Sequence, residues 1–115
     1  MNYRNAVTVL RERFPEFTES GEKWDDALPN DAYGTFALFF CRLFERGASE
    51  GLVSRAFDLF NEMAEGDDDI VNLLEVSVLE IVADHPACLR IAENRLSSTA
   101  RRLLKRVQRG GFADA

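Results

Sequence analysis

Histidine, cysteine and tryptophan are scarce in this sequence, and each shortage narrows the possible protein classes. The 115 residues include one His, two Cys and one Trp. Two cysteines are too few for a disulfide framework. Because Cys41 and Cys88 fall in predicted helices, we expect buried free thiols in a reducing cytoplasm. No CxxC, HExxH or HxH pattern occurs, which argues against a transition-metal site.

Long apolar runs and glycine-rich loops are also missing. The longest strongly apolar run, residues 36–41, is far shorter than the roughly 20 residues that span a bilayer. No apolar stretch follows the first charged residues, so we expect no signal peptide. The glycines are spread singly rather than gathered into a phosphate-binding loop. These absences predict a cytoplasmic protein with no membrane contact, metal or other cofactor.

Few residues suggest catalysis. His85 precedes Pro86 at a predicted helix end, where an imidazole often only caps carbonyl groups. No serine or cysteine lies in a recognisable nucleophile motif beside it. The run Asp67–Asp69 lacks the glycine and the terminal glutamate of a calcium-binding loop. We therefore expect a protein that is not an enzyme and has no catalytic residues.

The central element of the sequence is the stretch of residues 65–86. Gly66 ends one helix, and Asp67, Asp68 or Asp69 caps the next. Nine Ile, Val and Leu residues follow before Pro86, and they occupy almost every side of a helical projection. Asn72, Glu75 and other polar residues break the alternation that a strand would need. This pattern predicts a largely buried central helix near residues 68–84.

Five further helices are predicted around it, over residues 3–14, 30–46, 50–65, 86–95 and 99–109. The caps are Asn30 or Asp31 for the second helix, Ser49 for the third and Ser97 or Ser98 for the last. Short connections from the second helix onward favour antiparallel neighbours. The fold class is therefore all-α: one domain over residues 1–115, a compact bundle of about five to six helices packed as consecutive antiparallel hairpins. Residues 110–115 are expected to be frayed.

The segment of residues 15–30 is the longest irregular stretch, and a helical turn is expected near residues 22–28. Phe17, Trp24 and Leu28 are expected to hold this segment against the core. The alternative for Trp24 is a partly exposed aromatic anchor in an acidic rim, which is common at protein interfaces.

Charge is divided unevenly along the chain. Residues 1–85 contain 7 Lys/Arg and 18 Asp/Glu, a net charge of −11, whereas residues 86–115 contain 7 and 2, a net charge of +5. Such an acidic body repels phosphate, so we expect no nucleic-acid partner. No aromatic residue interleaves with the cations of residues 101–109, which fit a helix carboxyl terminus or pairing with neighbouring acids.

Two interpretations of the acidic residues stay open. They cap helices and solvate outer faces, or they form a surface that attracts a basic protein. The candidate binding residues for the second interpretation lie mainly on the third helix, the turn after it and the central helix: Asp58, Glu62, Glu65, Asp67, Asp68, Asp69, Glu80 and Asp84, with Trp24 as an aromatic anchor.

Residues 55–84 add a resemblance to this argument. The run Phe57-x-x-Phe60-Asn61-Glu62-Met63, the acidic turn and the run Asn72-Leu73-Leu74-Glu75-Val76 resemble paired helices of small acidic all-helical bacterial proteins. These include immunity proteins of contact-dependent and other polymorphic toxin systems. The resemblance covers about a quarter of the chain. It implies a monomeric inhibitor that binds a cognate toxin domain, often a nuclease. The alternative is a helical adaptor or scaffold that dimerises through its apolar second helix.

Overall fold

Seven helices build residues 1–110, the part of the chain that this computed structural model describes. They are α1 (Ala6–Arg13), α2 (Pro15–Thr18), α3 (Pro29–Glu45), α4 (Glu50–Ala64), α5 (68–83), α6 (Pro86–Arg95) and α7 (Ser98–Gln108). No residue of this range lies in a β-strand. The predicted all-α bundle is therefore confirmed, with α2 as the additional helix. Apart from Gly110, the residues predicted to be frayed lie outside the described range.

Phenylalanine rings form the centre of the core. Phe36 on α3 lies 4.6 Å from Phe14 and 6.3 Å from Phe60, measured between ring centroids. Phe40, one helical turn further along α3, lies 5.7 Å from Phe57 and 6.1 Å from Phe60. Contacts at these distances add to the burial of the rings. They join α3 to α4 and to the end of α1.

The helix α5 is the central helix, as predicted. It packs against α3, α4, α6 and α7. The Asp67 side chain caps it by accepting a hydrogen bond from the Ile70 amide at 3.0 Å. Its middle, Leu74–Leu79, is π-helical, so the backbone hydrogen bonds there reach five residues instead of four. No sequence pattern predicted this segment. No helix of the described chain is long and apolar enough to cross a bilayer.

The start of α3 differs from the prediction. Pro29 occupies its first position, Leu28 is the N-cap residue, and no side chain caps the helix. Proline at the first position sets the helix start one residue early, which places Asn30 and Asp31 inside the first turn. The predicted caps Asn30 and Asp31 are therefore wrong. Asp31 instead accepts a hydrogen bond from the Asp25 amide at 2.7 Å.

The segment before α3 also differs in part. Its helical turn is α2 rather than residues 22–28, because Pro15 both ends α1 and starts a new turn. Phe17 is fully buried and Trp24 is half-buried against the core, as predicted. Leu28, which was predicted to pack inward, is 54% exposed.

The remaining helix ends follow the prediction closely. Ser49 and Ser97 accept capping hydrogen bonds at the starts of α4 and α7, and Pro86 starts α6. The His85 Nδ1 lies 2.8 Å from the carbonyl oxygen of Ile81, which agrees with a carbonyl-capping role. Cys41 and Cys88 are buried and free, as expected, where α3 meets α6.

Candidate partner-binding surface

The turn between α4 and α5 gathers four of the candidate acids. Glu65 is the C-cap residue of α4, Asp67 caps α5, and Asp68 and Asp69 lie in its first turn. All four side chains are exposed. Because the positive end of a helix dipole and its free amides favour negative charge, α5 stabilises Asp67, Asp68 and Asp69 without a cation. None of the ion pairs within residues 1–110 involves them.

Gly66 makes this turn tight. A Cβ atom at Gly66 would lie only 2.8 Å from Cγ2 of Ile70 and 3.2 Å from the carbonyl oxygen of Met63. Ile70 is buried, so its side chain fixes the turn against the core. The acids of the turn are therefore held on a rigid support rather than on a loose loop.

Asp58 and Glu62 extend the acidic turn along the outer face of α4. Asp58, Glu62 and Glu65 lie on one stripe of this helix, because they are four and three residues apart. Both carboxylate oxygens of Glu62 accept hydrogen bonds from Arg13, at 3.0 and 3.1 Å. Glu62 is therefore partly neutralised and also joins α1 to α4, whereas Asp58 is exposed without an ion pair among residues 1–110.

Asp69 borders a cavity of about 280 Å³. Tyr3, Asn30 and Asn72 line the rest of this cavity. The lining therefore combines one carboxylate with a phenol and two amides. Such a group of oxygen acceptors suits a cationic or hydrogen-bond-donating group.

Glu80 and Asp84 lie apart from the other candidates, at the far end of α5. Asp69 and Glu80 are eleven residues apart, or roughly 16 Å along the helix axis. Glu80 and Asp84 line a cavity of about 460 Å³ together with Val107 and Gln108 of α7. Because α7 is rich in arginine, its cations counteract the field of these two acids. The structure thus separates Glu80 and Asp84 from the acidic turn.

Trp24, the candidate aromatic anchor, lies in the segment before α3 and is held by several contacts. Its ring stacks on Phe17 with a centroid distance of 4.3 Å, and the guanidinium carbon of Arg11 lies 4.9 Å from the ring centroid. The indole nitrogen donates a hydrogen bond to Asp26 at 2.8 Å, and Arg11 pairs with the same carboxylate. Hydrogen bonding to Arg11 lowers the pKa of Asp26. These contacts occupy Trp24 within the fold.

Glu75 is an acid whose role the sequence analysis missed. It is 2% exposed, and its two oxygens accept hydrogen bonds from Arg106 at 2.6 and 2.9 Å. This pair joins α5 to α7. The sequence does indicate this burial through helical spacing, because Glu75 lies four residues before the buried Leu79 and seven before the buried Val82. A carboxylate on such an inward stripe needs a cation from a neighbouring helix.

Two buried groups of the core, Tyr33 and Cys88, have raised pKa values. Burial raises the pKa of Tyr33, whose hydroxyl donates a hydrogen bond to the carbonyl oxygen of Ala6 at 2.7 Å. A hydrogen bond with Cys41, and then burial, raise the pKa of the Cys88 thiol. Within residues 1–110, no three His, Cys, Asp or Glu side chains converge into a metal-binding group. The exposed carboxylates of the acidic turn can attract positive charge and accept hydrogen bonds.

Comparisons with known proteins give one match. No curated protein and no solved structure matches the chain. A family model described as Domain of unknown function (DUF7674) matches residues 7–110. This match spans all seven helices, from the second residue of α1 to the end of α7. The chain therefore belongs to the family of DUF7674 domains.

Proposed function

We propose that this domain is a non-catalytic immunity protein that binds and neutralises a cognate basic toxin domain. The acidic turn (Glu65, Asp67, Asp68 and Asp69) and the adjoining stripe residue Asp58 form the surface that attracts the toxin. A nuclease is the toxin class that this chemistry fits best, because a nuclease presents cations to phosphate groups and an acidic inhibitor can occupy the same cleft.

The observation that carries this proposal is the concentration of exposed acids without ion pairs at one rigid turn. The carboxylates of Glu65, Asp68 and Asp69 are exposed, and no Lys or Arg of residues 1–110 pairs with them. Their field is therefore available to a basic partner and increases the rate of encounter. The resemblance of residues 55–84 to immunity proteins gives this partner its identity as a toxin.

Glu62, Glu80, Asp84 and Trp24 have supporting parts in this proposal. Glu62 forms an ion pair with Arg13, and a basic partner competes with Arg13 for the Glu62 carboxylate. Glu80 and Asp84 lie at the far end of α5, where the cations of α7 counteract their field, so they add little attraction at the acidic turn. Trp24 stabilises the fold through Phe17 and Arg11, and we do not place it at the centre of the interface.

Co-expression tests the proposal. The open reading frame next to the gene for this protein is expressed alone and together with this chain, in a host that lacks both. We expect the neighbouring product to be lethal alone and harmless beside this chain, and the two proteins to copurify as a one-to-one complex at low salt. The variant with Asp68→Lys and Asp69→Lys should protect poorly.

The matched control is the variant with Glu12→Lys and Glu22→Lys, which makes the same charge change at exposed residues away from the turn. It should protect as well as the natural sequence does. Absence of toxicity, or protection that survives both double variants, contradicts the proposal. Copurification of only a second copy of this chain would instead support the helical scaffold that dimerises.

A further inference from the structure

Large apolar side chains are exposed in one region of the described chain. Four large hydrophobic side chains within residues 1–110 are exposed: Met1 (36%), Tyr3 (37%), Leu28 (54%) and Val76 (39%). They come from three separate segments: the amino-terminal residues, the start of α3 and the middle of α5. Apolar residues that gather on a surface often mark an interaction site.

Hydrogen bonds bring these three segments together. The Tyr3 hydroxyl donates a hydrogen bond to Asn30 at 2.6 Å, and the Asn30 amide donates one to Ser77 at 2.7 Å. Leu28 lies two residues before Asn30, and Val76 lies directly before Ser77. The two hydrogen bonds therefore join the three segments that carry Tyr3, Leu28 and Val76. We call this set the apolar patch.

Leu28 and Val76 make no evident contribution to the stability of the fold at these positions. Leucine is a poor N-cap residue, and no side chain caps α3. Val76 lies in the π-helical segment Leu74–Leu79, a type of segment that is rare and frequently lies at functional sites. An exposed leucine at a cap and an exposed valine in a π-helix add nothing evident to stability. A partner that covers them would account for both.

The charges around the apolar patch are mostly negative. Asp69 shares a cavity with Tyr3 and Asn30. Asp25 and Asp31 lie close by, because the Asp31 carboxylate accepts a hydrogen bond from the Asp25 amide. Arg4, next to Tyr3, is the opposing cation of this segment. An apolar centre with an acidic rim is complementary to a basic surface that carries an apolar side chain.

We propose that the apolar patch is the contact centre for a basic protein partner. The partner places a Lys or Arg side chain in the cavity between Tyr3 and Asp69, and it covers Leu28 and Val76 with an apolar side chain. This inference rests on the proposed function, since it locates the centre of that interface beside the acidic turn. The acids determine the rate of encounter, and the apolar patch determines how long the complex lasts.

Site-specific photocrosslinking in the native host tests this proposal even while the partner is unidentified. The photoreactive residue p-benzoylphenylalanine replaces Leu28 or Val76 in the full chain. It also replaces Asp58 and Glu65 to sample the acidic surface, and Arg42 as an exposed control on the other half of α3. Adducts are sized on gels and identified by mass spectrometry.

We expect the Leu28 and Val76 positions to capture the same protein, one of net positive charge, while the Arg42 position captures none. An adduct of twice the mass of this chain identifies a second copy as the occupant and overturns the proposal. So does a captured protein without net positive charge. If a basic protein is captured only at Asp58 or Glu65, the apolar patch is not the contact centre, and the proposed function still holds. No basic protein at any position overturns both.

The variant Leu28→Ser separates binding from folding. Serine is a favourable N-cap, so this change removes the apolar side chain and is expected to maintain the thermal stability of the fold. Its dissociation constant for the captured protein should rise at least tenfold, mainly through faster dissociation and by the same factor at low and high salt. An unchanged dissociation constant contradicts the proposal.

Discussion

The carboxylates of α5 are buried in the middle of the helix and exposed at its start. In the middle, the Glu75 side chain is 3% exposed and pairs with Arg106 of α7. At the start, Asp68 and Asp69 are exposed and belong to none of the ion pairs within residues 1–110. Residues of the same charge, about two turns apart on one helix, therefore lie in opposite environments.

The difference separates an acid that joins two helices from acids whose charge stays exposed to solvent. A buried carboxylate loses its hydration, so it needs a partner with good geometry, and the two hydrogen bonds of Arg106 provide it. The pair fixes the orientation of α7 on α5. Exposed acids add little to folding, but their field reaches about 8 Å into a solution of physiological salt. Substitution of Asp68 or Asp69 therefore costs the fold only its favourable interaction with the α5 dipole, about 0.3–1 kcal/mol each.

Exposed ion pairs form an intermediate group. Glu16 pairs with Arg55, Glu62 with Arg13 and Asp26 with Arg11. These pairs join α1, α2 and the segment before α3 to their neighbours, but water screens them. We expect them to contribute less to stability than the Glu75 pair.

The largest expected effect follows from removing the cation of the buried pair. Arg106→Ala leaves the Glu75 carboxylate buried without this partner, and we expect the melting temperature to fall by about 10 °C. The control is Arg102→Ala, which removes an exposed arginine of the same helix. Differential scanning calorimetry of both variants at pH 7 measures the effect. Equal melting temperatures for the two variants would contradict the structural role of the pair.

A smaller loss is expected at the acidic turn. Gly66→Ala brings a Cβ atom to 2.8 Å from the buried Ile70 side chain, and relief of this clash should cost about 2 kcal/mol of the unfolding free energy. Gly34→Ala is the control, because its Cβ would lie at an ordinary 3.7 Å from the carbonyl oxygen of Ser77. Within α3, alanine should maintain or slightly increase stability.

Urea denaturation compares the two glycine variants. A Gly66→Ala domain as stable as Gly34→Ala would show that the turn is not held as tightly as the packing of Ile70 indicates.

The smallest effect concerns the exposed pair of Glu16. Hydrogen bonding to Arg55 lowers the pKa of Glu16 in the folded state. The stability that this pair contributes is therefore present above the unfolded pKa of about 4.3 and is lost as pH falls through the lower folded pKa. Glu16→Gln should reduce the unfolding free energy by less than about 1 kcal/mol at pH 7.

This difference from the natural sequence should begin to shrink near the unfolded pKa of about 4.3 and disappear once the pH is below the folded pKa of Glu16. Denaturation curves between pH 3 and pH 7 measure it, with Glu12→Gln as the exposed control on α1. A Glu16→Gln deficit that grows as the pH falls would contradict the assignment.

The helices could be predicted from the sequence because their signals are local. Apolar spacing, Pro86 and the serine caps Ser49 and Ser97 lie within a few residues of the helix ends that they determine. The start of α3 was predicted wrongly because Asn30 and Asp31 resemble caps equally well. Their side chains are instead engaged by Tyr3, Ser77 and Asp25. Pro29 at the first position of α3, together with these partners, prevailed over the cap signal of Asn30 and Asp31.

The candidate surface was less predictable for a similar reason. A list of acids does not reveal that Arg13 neutralises part of Glu62, that Trp24 is stacked on Phe17, or that Glu80 lies far from Asp69. The exposure of Leu28 also depends on tertiary packing, because its apolar character alone indicates burial. The binding proposal therefore depends on distances that emerge only once α5 is packed.

The most direct measurement is the association rate of this domain with the proposed basic partner, by stopped-flow fluorescence at low and high salt. We predict that Asp68→Lys with Asp69→Lys slows association about tenfold at low salt and much less at high salt, because salt screens the attraction. The control Glu12→Lys with Glu22→Lys should leave the rate within about twofold. Equal slowing by both variants, or no slowing by the first, would contradict the acidic turn as the binding surface.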